Sequence, residues 1–177
     1  MIEEIVLAGV GGQGVMSAGK VLAQAAMNEG KYVSCVASYG PEMRGGVSFC
    51  SVIISDNPIS TPTIEHPTTL IALSDVSFDE LEKSIAEGGS LFVNDSIVKK
   101  RSHRKDISAF YIPANDIAYS IGMVQVANVI MLGAYINYKN IVSEKELKGQ
   151  IKAASKTDKI FDNNVLALKK GAEFIKG

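Results

Sequence analysis

Two short stretches hold the residue types that could do chemistry. Gly9-Val10-Gly11-Gly12-Gln13-Gly14 is a G-x-G-x-x-G segment, and Ser38-Tyr39-Gly40-Pro41-Glu42-Met43-Arg44-Gly45-Gly46 sets an aromatic, a carboxylate and a guanidinium among glycines. In the first, missing Cβ atoms permit positive φ and close approach, leaving N–H groups at a helix start where phosphate or carboxylate is favoured. Gly9, Gly11, Gly12, Gln13 and Gly14 are therefore candidate ligand-binding residues. The same glycines serve a tight turn and close helix–sheet packing without any ligand, and that reading stands beside the first.

In the second stretch, an exposed Glu42–Arg44 pair would contribute only about 0–1 kcal/mol, a weak reason for its presence. Arg44 instead offers a bidentate fork to a carboxylate or phosphate of a ligand or a neighbouring subunit, with Tyr39 and Glu42 as companion contacts. Gln125 and Asn128 are polar positions in an otherwise apolar segment. Core hydrogen bonding, ligand contact and a subunit interface compete there, and the cost of exposing so apolar a helix favours the interface.

Other candidates are weaker. Lys99 to Lys105 is the one basic run; it could steer an acidic partner, but a solvated loop is the simpler reading. His66 and His103 lie far apart, with single acids beside them, and make no metal-ligand set. Cys35 and Cys50 form no C-x-x-C pair and supply too few thiolates for a zinc or iron–sulfur site. No serine sits in a G-x-S-x-G elbow. No residue is assigned to catalysis or to a metal.

The elements that must position these residues follow from periodicity. Ile5 to Ala8 reads as a strand entering the glycine turn, followed by a helix with Val15, Ala18, Leu22, Ala25 and Ala26 on one face and Gly30 at its end. Strands are expected at Tyr32–Val36 and Val47–Ile54, separated by the second stretch, then at Leu70–Leu73, Leu91–Val93 and Ala109–Ile112. Ser74-Asp75 caps a helix over about Phe78–Ala86. Met123–Tyr138 is apolar nearly all round, hence a buried helix. Ser143-Glu144-Lys145-Glu146 reads as a reciprocal capping box, and a last helix covers about Asn163–Lys176. The alternation predicts a three-layer α/β/α sandwich with a Rossmann-like strand–glycine loop–helix start, one domain over 1–177.

At 177 residues, 46% hydrophobic, 21% charged and with a net charge of −1, the chain has no field suited to nucleic acid or an anionic membrane. Its acidic N-terminus runs straight into a strand, so neither a secretory leader nor a membrane span is expected, and a cytoplasmic location follows.

Taken with Ala127-Asn128-Val129-Ile130-Met131-Leu132-Gly133-Ala134, the two stretches resemble the gamma subunits of 2-oxoacid:ferredoxin oxidoreductases, over essentially the whole chain and with loop wording nearer the 2-oxoglutarate-type branch. The resemblance implies a complex that oxidatively decarboxylates a 2-oxoacid with coenzyme A, giving acyl-CoA, carbon dioxide and reduced ferredoxin. It implies alpha, beta and in some forms delta partner subunits, with thiamine diphosphate, magnesium and iron–sulfur clusters held by those partners. The glycine loop and Arg44 would then contribute to the coenzyme A or substrate entrance. Isolated, the chain is expected to be a homodimer.

The alternative is a freestanding nucleotide- or NAD(P)-binding protein. Against it, Tyr32 to Ser38 carries no acid for a ribose hydroxyl. A structural module with no ligand shares every feature of the gamma-subunit reading.

Overall fold

A computed structural model describes residues 1–38, 46–123 and 125–176. Among these residues, six strands form one mixed sheet in the order β2-β3-β1-β4-β5-β6. β1 (Ile2–Val10) runs up the centre, and β4 (Thr69–Ala72), β5 (Ser90–Asn94) and β6 (Ser108–Ile112) follow it in parallel on one side. On the other side, β3 (Val47–Ser55) is antiparallel to both β1 and the edge strand β2 (Tyr32–Ser38).

The pleat of β1 divides the core. Ile5 and Leu7 point to one face, and Val6 and Ala8 to the other. The first face carries α1 (Val15–Asn28), α3 (Ala114–Ser120), α4 (Ala127–Lys139), α5 (Glu144–Ala154) and α6 (Asp158–Lys176). The second is covered by α2 (Asp75–Leu81), a 3-10 turn at Glu82–Ser84 and the chain around Val98. The three-layer α/β/α architecture expected from sequence is present, with most of the helical mass on one side.

Several local expectations need correction. The helix after β4 starts at Asp75 with Ser74 as its cap, but it yields at Leu81 to the 3-10 turn instead of continuing to Ala86. α3 was not expected; Pro113 precedes it and Asp116 lies in its first turn, the local signals that mark it. Gly122, at φ 73°, ends that helix, so the next one begins at Ala127 and not Met123. Ser143 caps α5 by accepting the Glu146 N–H, but the Ser143 N–H goes to Glu29 Oε1 from the end of α1 (2.8 Å), while Glu146 receives Asn28 Nδ2. The box therefore closes through a residue 114 positions away.

α4 is buried within its own chain. Ile130 to Ile136 are all covered, and Tyr135 meets the Phe92 ring edge-on at 5.8 Å. α6 crosses it where Gly133 faces Leu168 O and Gly171 faces Ile130 O, each so close that a Cβ would overlap the opposing backbone. The apolarity of α4 therefore needs no partner subunit, which removes the physical argument for an interface at Gln125 and Asn128.

Candidate functional site

β1 delivers the glycine loop to the carboxyl edge of the sheet, and each loop residue there has its own task. Gln13 is the brace: its Oε1 accepts the Val10 N–H (2.8 Å) and its Nε2 donates to Leu73 O at the end of β4 (3.0 Å). A side chain at Gly9 would collide with the Gln13 amide. Gly12 and Gly14 hold φ of 87° and 73°, a region costly to any residue with a Cβ. Gly11 faces open space at ordinary φ.

Asn128 completes the clamp from α4. Its Nδ2 donates to Gly14 O (3.0 Å) and occupies the space a Gly14 side chain would need. Gln125 is exposed beside it. Gly12, Gly14, Ser17, Gln125, Asn128 and Asn164 are among the residues lining a cleft of about 390 Å³. Tyr39, Glu42 and Arg44 lie outside the described residues.

The electrostatics of this cleft come from backbone. α1 starts at Gly14 and α4 at Val126, neither with a side-chain cap. They are also the two described α-helices with no acid in the first turn, whereas α2, α3, α5 and α6 carry Asp75, Asp116, Glu144 with Glu146, and Asp158. The positive ends of two helix dipoles thus meet at an opening whose described lining holds no carboxylate, a setting that favours an anion, although Ala154 and Ser155 bring the C-terminal end of α5 to its far wall.

A smaller cavity of about 170 Å³ adjoins the loop, bounded by Gly12, Gln13, Leu73, Asn94, Asn115 and Gln125. Asn94 is buried at the end of β5; its Nδ2 donates to Asn115 Oδ1 (2.7 Å), and its Oδ1 has no partner among the described residues. Sequence reasoning missed both asparagines. Their only signal was the position of Asn94 directly after Leu91-Phe92-Val93, on the edge where open α/β sheets bind ligands.

Other sequence candidates are dispersed. Lys100 pairs with Asp79 (2.5 Å), Arg101 with Asp95 (2.7 Å) and over the Tyr111 ring, and Arg104 with Asp106 and the carbonyls of Glu82 and Ile85. The Asp106 hydrogen bond raises the Arg104 pKa, and Arg104 in turn lowers that of Asp106. The basic run is spent largely on its own chain. His66 Nδ1 lies 3.2 Å from Ser84 O, far along the chain from His103 in the basic run.

Topology also bears on the dinucleotide alternative. In that fold, β2 lies beside β1 and brings the ribose-binding acid next to the glycine loop. Here antiparallel β3 is inserted between them.

Residues 4–174 match the family described as Pyruvate ferredoxin/flavodoxin oxidoreductase. The chain belongs to that family. It is 38% identical over 179 residues to the 2-oxoglutarate synthase subunit KorC of Methanocaldococcus jannaschii, covering 99% of this chain and 95% of that one. It is 37% identical over 170 residues to the ketoisovalerate oxidoreductase subunit VorA of Methanothermobacter marburgensis. That match takes in 95% of this chain but spans only 35% of the length of VorA.

Among solved structures, the gamma subunit of a keto/oxoacid ferredoxin oxidoreductase from Geobacter sulfurreducens superimposes with a TM-score of 0.86 at 30% identity, over 98% of each chain. A 2-oxoglutarate:ferredoxin oxidoreductase from Magnetococcus marinus, solved with 2-oxoglutarate, coenzyme A and succinyl-CoA bound, shares the fold at a TM-score of 0.88 and 22% identity. This chain covers 31% of that one. The family, the gamma-type relationship and the α/β fold are those expected from sequence, and the freestanding Rossmann reading is not favoured. No helix among the described residues is long and apolar enough to cross a membrane.

Proposed function

We propose that this chain is the gamma component of a 2-oxoglutarate-type 2-oxoacid:ferredoxin oxidoreductase and that the cleft at the glycine loop receives the phosphate-bearing end of coenzyme A. The observation carrying the ligand reading is the convergence of two uncapped, acid-free helix N-termini on one opening. Such an opening suits a diphosphate, while Asn94 Oδ1, without a partner among the described residues, offers an acceptor to an N–H or O–H further along the same ligand. The Magnetococcus relative, solved with coenzyme A, supports the same choice.

The chemistry of bond cleavage belongs to other subunits. Two cysteines cannot replace the four thiolates of an iron–sulfur cluster, so the donor set of this chain does not fit one. Thiamine diphosphate, magnesium and the clusters reside on alpha, beta and, in four-subunit forms, delta chains, with ferredoxin as the acceptor of the complex. What this chain contributes is binding: it fixes the nucleotide end of the co-substrate through backbone N–H groups, and Arg44, Tyr39 and Glu42 add contacts at the entrance or toward a partner. The whole chain acts as one gamma domain in the cytoplasm, and alone it forms a homodimer.

The test is the reconstituted complex with Ser17→Glu, which places a carboxylate in the first turn of α1, and separately with Arg44→Ala. The expected result for Ser17→Glu is a KM for coenzyme A raised about tenfold or more, with kcat for ferredoxin reduction little changed. An unchanged KM in an assembled, active complex would leave the glycine loop a purely structural device. Copurification of this chain with no thiamine- or cluster-binding partner would remove the subunit assignment itself.

A further inference from the structure

The cysteines of this chain do not line the proposed ligand cleft, yet the fold brings them together. Cys35 lies on the edge strand β2 and is exposed; Cys50 lies on β3 and is fully buried. In the antiparallel register Cys35 faces Val52 and Cys50 faces Ala37, so the two are diagonal neighbours on the sheet face covered by α1. Their Sγ atoms are 3.6 Å apart. Both cysteines in the sequence are used in this one contact.

The surroundings suit a reaction between the two sulfurs. Cys50 Sγ sits under Gly19 of α1, where any side chain would collide with it, so the helix leaves the sulfur room. Bringing the sulfurs to bonding distance requires a closure of about 1.5 Å, shared between side-chain rotation and a small shift of the edge strand β2 toward β3. Burial, followed by the neighbouring Cys35, pushes the Cys50 thiol up to about 12, so at neutral pH it keeps its proton until that proton passes to the hydroxyl leaving Cys35. A dissolved oxidant reaches Cys35 first.

We propose that Cys35 and Cys50 form a reversible thiol–disulfide site, oxidised by a peroxide. In the first step the Cys35 thiol takes one oxygen from hydrogen peroxide, forming a sulfenic acid and releasing water. In the second, Cys50 sulfur attacks the Cys35 sulfur, the S–S bond forms, and the hydroxyl leaves as water with the Cys50 proton. Two thiols lose two electrons and two protons; the peroxide is reduced to two waters. The bond ties the edge strand to β3 and closes a covalent ring through residues 35–50. A low-molecular-weight dithiol reverses it by exchange.

The experiment uses the full chain, reduced with dithiothreitol, freed of reductant under argon and treated with stoichiometric hydrogen peroxide. Intact mass, alkylation under denaturing conditions and peptide mapping are the readouts. The expected product is lighter by two hydrogens, takes up no alkylating agent, yields a Cys35–Cys50 linked peptide and returns to the reduced mass with dithiothreitol. Cys50→Ser should stop at a Cys35 sulfenic acid trapped by dimedone, and Cys35→Ser should keep Cys50 fully alkylatable after the same dose. The proposal is overturned if the wild-type chain retains both thiols, if Cys35 proceeds to sulfinic acid with Cys50 free, or if the only disulfide joins Cys35 of two chains.

Discussion

Replacing Gly14 with alanine separates the physical reasons that one glycine motif conceals. Gly14 holds φ at 73°, and left-handed backbone costs an alanine about 1–2 kcal/mol. Its Cβ would also displace the Asn128 amide, breaking the 3.0 Å bond to Gly14 O, worth about 1 kcal/mol. Against these, alanine narrows the unfolded ensemble and returns about 0.4–1 kcal/mol. The net loss is about 1–2.5 kcal/mol, a fall in Tm of roughly 2–10 °C for a domain of this size. Gly12→Ala meets the φ penalty at 87° with no collision and should lose less. Gly11→Ala meets neither and should be neutral or slightly stabilising. Thermal unfolding followed by circular dichroism ranks the three variants, and Gly14→Ala combined with Asn128→Ala should cost less than the two single changes added together. Equal damage at Gly11 and Gly14, or additive losses in the double variant, would refute the account of how the loop is held.

Gly171→Ala and Gly133→Ala drive a Cβ into backbone across the α4–α6 crossing, so each should cost about 3 kcal/mol or more, read as a Tm loss larger than any in the loop. Gly149→Ala on α5, in open space, should instead gain up to about 1 kcal/mol from helix propensity. Tyr135→Phe removes a buried hydroxyl that has no partner among the described residues while keeping the ring against Phe92; stability should hold or rise by about 1 kcal/mol, and a loss of that size would reveal a hydrogen bond to the phenol. The Asp56 carboxyl is held down at about 2, first by the Lys31 hydrogen bond and then by that of the Met1 amino group. A carboxylate lowered on folding stabilises above its unfolded pKa and loses that contribution as pH falls through the folded one. The Tm difference between wild type and Asp56→Asn should therefore be small but present at neutral pH and close between about pH 4 and pH 2, in line with an exposed pair.

The sequence by itself determined what depends on neighbours along the chain. The strand cores, the helix starting at Ser74-Asp75, the cap at Ser143 and the glycine turn between β1 and α1 were all legible, because alternation, helical spacing and capping are properties of a few consecutive residues. The resemblance carried by the glycine segment, the Tyr39–Gly46 stretch and the Ala127–Ala134 helix was legible for the same reason, since each is a run of adjacent residues.

Tertiary structure alone decided the pairings between distant segments. Nothing local told β3 to enter between β1 and β2, Gln13 to brace Leu73, Glu29 to take over from Glu146 at the start of α5, or Asn128 to grip Gly14. Nor did it place Asn94 beside the loop or Cys35 against Cys50. Each depends on strand register and helix crossing, which are chosen by the burial of whole faces. A residue can state its own preference for strand, helix or cap, but the identity of its partner is a property of the packed chain.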